Sequence, residues 1–387
     1  MLVTHNGVPV TDSQRLEADG EFDARLIEGY DIEAILRAYG PSIGDLLDPH
    51  DATGSAVYEK VRFGFSEHGD LDVERVALGL DGVVELVDGT VSSTINEHSL
   101  IEGGSTVVVG LSGGVDSSAL LIALAEEQRR RADFGIIAVT FADYDSTRSP
   151  AFEHASHLAA ELGLKHIVVP QEVAQRTFNL RLPFSGALLT LMETDDAHQV
   201  MYVDHHITRR VLEVVASEHD ARVVALGLHV TDLLAGLLNG LAVGYAVGPI
   251  PKRSLPNATY IYPLAFVPKR ELHLYYFAKT GRWARHTTPN QWEIKPKDRN
   301  YYYYVADWLQ VVWPGLEFWL FSAHNRMRAE IGPHHQYAQC SNCFGAVQTL
   351  GLPWEAGALC DVCRLLERHE LLGSPRSATT QTSSQGR

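Results

Sequence analysis

The sequence predicts an α/β fold, a doubly wound parallel sheet with an acidic α+β domain ahead of it and a cysteine-rich segment behind it. Three observations carry this. Between about residues 106 and 275, short β-branched runs alternate with amphipathic helical patterns, the arrangement of a parallel sheet with crossover helices. Residues 1–100 hold 20 Asp+Glu against 6 Lys+Arg, a net of −14 out of −16 for the whole chain, so the acidity belongs to one segment. All four cysteines lie within the last 50 residues. No apolar run reaches the roughly 18 residues of a membrane span, and no basic-then-apolar leader opens the chain, so a cytoplasmic protein with no membrane partner is expected.

The elements follow in order. Residues 1–100 mix a helical stretch, DIEAILRAYG (31–40), with turn-rich runs such as VALGLDGVVELVDG (76–89) that read as hairpins. Residues 101–275 form the α/β domain: TVVVGL, then VDSSALLIALAEEQRRR; GIIAVTF, then PAFEHASHLAAELG; HIVVP; ITRRVLEVVASEHD, then RVVALGL. Residues 276–372 form a helical segment with the cysteines, and 373–387 are polar enough to be a disordered tail. Residues 251–300 run basic, interleaved with Trp283, Trp292 and several Tyr. That pattern suits a face for phosphates and bases, and equally a solvated face beside a half-buried aromatic cluster.

Two motifs carry chemistry. Cys340, Cys343, Cys360 and Cys363 form CSNC and CDVC, 16 residues apart, the spacing of a tetrahedral Zn2+ site closed by four thiolates. Two disulfides are the alternative, poorly served by two-residue spacing. At 107–120 the strand VVVGL breaks into SGGVDSSAL, a strand-to-helix turn. Gly113 and Gly114 let the backbone approach a ligand, while Ser112, Ser117 and Ser118 place hydroxyls at a helix N-terminus that favours negative charge. The lysine of a Walker A loop is missing. Asp116 would repel phosphate alone, so it reads as a Mg2+ ligand, or else as a plain helix cap.

SGGVDS after a buried strand resembles the pyrophosphate loop of the N-type ATP pyrophosphatases, the PP-loop or adenine nucleotide alpha hydrolase-like superfamily, over roughly residues 105–366. The resemblance implies a HUP-like α/β domain that cleaves ATP between the α and β phosphates and adenylates an acceptor oxygen. RRVLEVVASEHDARVVALGLHVTD (209–232), YPLAFVPKRE (262–271) and CDVCRLL resemble segments of the tRNA 2-thiocytidine and 2-thiouridine synthetases. The SGGVDS loop, Lys269 and the four cysteines are also similar to parts of the 7-cyano-7-deazaguanine synthases, whose nucleophile is ammonia. By this resemblance Asp116 and Asp232 hold Mg2+. Arg209, with Lys269 or Arg270, neutralises phosphate, and Ser112, Gly113, Gly114, Val115, Ser117, Ser118 and Gly227 contact ATP. Asp143, at the end of the second strand, lies near the adenine or ribose, or caps a turn. Arg209 and Arg210 have the alternative of a solvated helix face.

The sequence also departs from the thiolases. Tyr202 and His205 stand where they carry a cysteine pair, RHTTPN (285–290) lacks their third cysteine, and Leu228 and Thr231 replace a His and an Asp. With every cysteine assigned to zinc, no thiolate remains to carry a persulfide. The expected function is therefore AMP- and pyrophosphate-forming activation of a carbonyl or carboxylate oxygen on a nucleobase or related small molecule, then displacement. The alternatives are tRNA thiolation with an external sulfur donor, or a non-catalytic nucleotide-binding partner protein. A protein acceptor also fits. The acidic segment either covers the basic patch or docks a protein partner, and its charge leans away from tRNA. Asp204, His205 and His206 are expected ahead of a helix, as a substrate or metal site or simply as its start.

Overall fold

The computed structural model describes residues 2–5, 8–9, 22–25, 58–65, 71–141, 150–243, 247–282, 302–303, 305–306, 309–310, 315–331, 337–348, 355 and 357–374. These form two compact units, the first from Met1–Thr94, Leu228–Ile250 and Leu264–Arg326, the second from Ile95–Gly227, Pro251–Pro263 and Met327–Arg387. Asp143, the helix expected at 31–40, Trp283, Trp292 and residues 375–387 lie outside the described residues.

The strands are β1 (Leu2–His5), β2 (Val8–Pro9), β3 (Phe22–Arg25), β4 (Tyr58–Phe65), β5 (Leu71–Leu78), β6 (Thr106–Gly110), β7 (Gly135–Phe141), β8 (Lys165–Val169), β9 (Val223–Ala225), β10 (Lys252–Ser254), β11 (Thr259–Ile261), β12 (Tyr337–Gln339) and β13 (Ala346–Gln348). The α-helices are α1 (Leu80–Glu97), α2 (Val115–Arg131), α3 (Pro150–Glu161), α4 (Gln171–Phe178), α5 (Phe184–Met192), α6 (Val200–Glu218), α7 (Val230–Val243), α8 (Lys269–Thr280), α9 (Leu316–Ile331) and α10 (Asp361–Arg368).

The second unit is built on a six-stranded sheet of order β10-β11-β9-β6-β7-β8. Five strands run parallel and β10 closes the edge antiparallel to β11. Val107, Val108 and Val109 of β6 are all buried, which is why the central strand reads as an unbroken apolar run rather than an alternation. After β6 the chain winds outward through β7 and β8, then returns to place β9 on the other side of β6. That reversal is the switch point beside which doubly wound sheets bind ligands, at the carboxyl ends of the strands. The doubly wound sheet expected from the alternation is present.

Behind the sheet in sequence, β12 and β13 pair as a short hairpin and α10 follows. Backbone bonds tie this segment to the helical layer: Arg181 N–H to Leu371 O at 2.9 Å and Gly373 N–H to Asn179 O at 2.7 Å. Asn179 Nδ2 also donates to Ser374 O at 2.9 Å. The first two residues of the expected tail are thus anchored.

In the first unit, β1, β2 and β3 form one small antiparallel sheet and β4 and β5 a hairpin. The hairpin reading of 76–89 is corrected: β5 ends at Leu78 and the 18-residue helix α1 begins at Leu80. Val83, Val87 and Val91 are buried at four-residue spacing, so a helical period overrides the apparent alternation, and a side chain at Gly89 would meet only open space. Tyr275 of α8 donates to Asp88 of α1 at 2.8 Å, with Lys279 3.4 Å from the same carboxylate.

Candidate functional site

The turn between β6 and α2 is shaped by its own glycines and serines. Gly113 has φ +78°, and a Cβ there would sit 1.9 Å from the carbonyl oxygen of Ala151, so only glycine fits. Gly114 occupies the N-cap of α2 in extended conformation with no side chain capping the helix. Gly227, just past β9, lies so close that its Cβ would be 2.8 Å from Ser117 N. The structure thus brings Gly227 against the 112–118 turn.

The hydroxyls divide differently from expectation. Ser117 Oγ accepts from Ser112 N–H at 3.1 Å, lies 2.9 Å from Ser112 Oγ and donates to Gly114 O at 3.2 Å. Gly114 N–H donates to Ser112 Oγ at 3.3 Å. Ser112 and Ser117 therefore fasten the turn from within. Ser118 Oγ is wholly buried, with no hydrogen-bond partner among the described residues. The first helical bond runs from Ser118 N–H to Gly114 O, so the amides of the opening turn of α2, Val115 and Asp116 among them, have no acceptor within the helix. Such an end, with the positive pole of a 17-residue helix behind it, is built to receive an anion. Asp116 stands in that first turn.

Asp232 and Lys269 belong to the first unit. Asp232 lies in the opening turn of α7, and its Oδ2 accepts from His229 N–H at 3.1 Å, as in the backward half of a capping box. His229 is 1% exposed, its Nδ1 accepts from Thr231 N–H at 3.2 Å, and its Nε2 lies 3.5 Å from Asp232 Oδ2. His229 sits one place beyond the histidine that the resemblance implies at position 228, and its position inside GLHVTD is its only signal in the sequence. Lys269 and Arg270 open α8 behind Pro268.

Arg209 and Arg210 share α6 but not a role. Arg209 Nε donates to the His205 carbonyl at 3.1 Å. Arg210 is mostly buried; its Nε donates to Cys343 O at 2.8 Å and its Nη1 pairs with buried Glu213 at 3.0 Å. Asp204, His205 and His206 lie inside α6, not ahead of it. Burial pushes the Asp204 carboxyl up to about 6.

The four cysteines meet as a buried cluster, every Sγ within 4.8 Å of the others and Cys343 Sγ 3.9 Å from Cys360 Sγ. Four thiolates about 2.3 Å from one ion stand about 3.8 Å apart, so the set fits a single tetrahedral metal. An iron–sulfur cluster puts its own atoms between the thiolates and needs a wider cage. Hydrogen bonds, first from Cys340 and then from Cys360 and Cys363, hold the Cys343 thiol far below the ordinary thiol range. Cys360 N-caps α10 and accepts from Cys363 N–H at 3.4 Å, while Cys340 Sγ accepts from Cys360 N–H at 3.2 Å. Asn342 Nδ2 donates to Phe178 O at 2.7 Å and lies 3.4 Å from Cys363 Sγ, joining the knuckle to α4. Among the described residues, no helix is long and apolar enough to cross a membrane.

Residues 99–219 match the family model described as asparagine synthase. A tRNA-cytidine(32) 2-sulfurtransferase of Bordetella petrii is 27% identical over 246 residues, 60% of this chain and 63% of that protein. A tRNA(Ile)-lysidine synthase of Bacillus cereus is 30% identical over 228 residues, 57% of this chain and 43% of that protein. The chain spans about half the length of the curated relatives it matches. Among solved structures, a U34-tRNA thiolase from Methanococcus maripaludis with its [4Fe-4S] cluster superposes with a TM-score of 0.58 at 16% identity, covering 78% of this chain and 93% of that one, a likeness of fold. These matches bear out the resemblance to the N-type ATP pyrophosphatases and, among them, to tRNA-thiolating enzymes.

Proposed function

We propose that this chain is an AMP-forming, ATP-dependent enzyme that adenylates a carbonyl-type oxygen of a nucleobase and lets a nucleophile displace the AMP. The observation that carries the reading is the 112–118 turn: a glycine turn fastened by Ser112 and Ser117, at the N-terminus of a 17-residue helix whose first internal bond starts at Ser118, beside the switch point. Pyrophosphate is the group such a turn suits. Charge building on it as the α–β bond breaks meets donors already in place, which favours the transition state over the ground state. Gly113, Gly114, Val115, Ser118 and Gly227 line the approach; Arg209 and Lys269 are proposed to neutralise phosphate oxygens. Asp116 is proposed to hold Mg2+, and the resemblance supports Asp232 as a Mg2+-ligand candidate. When bound, the ion would supply positive charge that offsets the negative charge of the phosphate oxygens.

The sulfurtransferase and lysidine synthase relatives are named for tRNA, which supports a tRNA nucleobase as the first acceptor to test, against the lean suggested by the acidic segment. The nucleophile is proposed to come from outside the chain's cysteines. All four thiols are buried in one cluster, and α6 presents Tyr202 and His205 where thiolases carry cysteines. Zn2+ is the ion proposed for that cluster; when bound it supplies folding energy rather than an open coordination position.

The test is to incubate the protein with ATP, Mg2+, bulk tRNA and ammonia or sulfide, and to separate nucleotides by chromatography. AMP and pyrophosphate in equal amounts are expected. ADP as the main product would overturn the reading.

A further inference from the structure

We infer that His206 is a positioning residue of the four-cysteine site, donating its Nε2–H to the Cys360 thiolate and keeping the bound ion chemically quiet. The inference rests on the single-ion reading of that site. Four thiolates around a divalent ion leave two surplus negative charges in a buried place, and such charge must be met by N–H donors. Most donors come from the knuckles themselves: Cys360 N–H to Cys340, Cys363 N–H to Cys360, and the Asn342 amide to Cys363.

His206 comes from elsewhere. Its Nε2 lies 3.8 Å from Cys360 Sγ across 154 residues of sequence, in the middle of α6. The ring is held on two sides, edge-on to Phe178 at 5.9 Å and 75°, and beside Tyr202 at 6.3 Å. An N–H aimed at a thiolate withdraws electron density from sulfur, so the metal–sulfur bond is less open to attack by chelators and electrophiles. The same contact, with Arg210 on the Cys343 carbonyl, fixes α6 against the metal site at two successive turns. Arg209 lies on that helix, so the donor links the closed site to the placement of a residue assigned to phosphate.

The experiment compares the full-length zinc-loaded protein with His206→Phe, which keeps a ring but loses the donor, and His206→Gln, whose amide can reach the same place. Zinc transfer to a chromogenic chelator should be about 10- to 100-fold faster in His206→Phe, and His206→Gln should recover most of that difference. The thiolate-to-metal absorption band of the cobalt-loaded protein should shift in His206→Phe alone. Equal release from wild type and His206→Phe, or a glutamine variant as fast as the phenylalanine one, would overturn the assignment. If the variants do not fold, wild-type protein loaded with 113Cd decides: a scalar coupling between the His206 ring N–H and cadmium supports the bond, and its absence refutes it. A wild-type protein that binds no metal would sink the single-ion reading itself, a result distinct from metal held with no help from His206.

Discussion

The glycine–serine turn at 112–118 and the cysteine cluster at 340–363 both lie in the second unit and both suit charge, yet they are built in opposite ways. The turn is made of backbone: glycines without a Cβ, Ser112 and Ser117 bonded to each other, and opening amides with no acceptor inside the helix. The cluster is made of side chains, wholly buried, each sulfur facing the others and several receiving N–H donors. A site open at the carboxyl edge of a sheet can admit and release a ligand many times. A closed four-sulfur cage has no position left for a substrate. On the proposed reading, the first does the chemistry and the second holds structure.

The largest expected effect breaks only the open site. Asp116→Ala should reduce AMP formation by at least about a hundredfold, the scale of losing a major charge-stabilising group, with melting temperature and zinc content unchanged, as calorimetry and elemental analysis would show. A parallel loss of stability would mean that Asp116 serves the fold. Cys360→Ser breaks only the closed site. Bound zinc should fall from about one per chain to near zero, and thermal stability or solubility should drop with it. A metal-free variant as stable as wild type would erase the contrast.

A smaller effect sharpens it. Asp204, on the helix that meets the cluster, has its carboxyl raised to about 6 by burial. In the unfolded chain such a group titrates near 3.9, so between roughly pH 4 and 6 the native state holds the extra proton and stability falls as pH rises. Asp204→Asn should flatten that stretch of a denaturation-versus-pH curve and stabilise the protein at neutral pH. An unchanged slope would show that Asp204 is well solvated.

Local rules made much of this legible. The loop could be read because glycine, serine and a strand-to-helix junction dictate backbone shape within a few residues. The cysteines could be read because their spacing alone closes a tetrahedral site. Hidden were contacts made by distant parts of the chain: His206 on Cys360, Arg210 on the Cys343 carbonyl, Asn342 on Phe178. A solvated helix face is the sequence's reading of Arg210, and no periodicity says that a knuckle 133 residues away would take it. The α1 error had another source. Gly79, Gly82 and Gly89 punctuate VALGLDGVVELVDG like turns, and only the burial of Val83, Val87 and Val91 reveals the helical period. Asp232, read as a metal ligand, also does a local task in accepting from His229 N–H, which sequence spacing alone did not separate from ligation.

The central claim is that the 112–118 turn drives cleavage between the α and β phosphates, and two ATP analogues test it most directly. With the acceptor, Mg2+ and nucleophile supplied, β,γ-methylene ATP should still yield AMP, because its α–β bridge is intact oxygen, while α,β-methylene ATP should yield no AMP and should inhibit by occupying the turn. Turnover of the α,β-methylene analogue with failure of the β,γ-methylene one would place the cleavage at the γ phosphate and contradict the account.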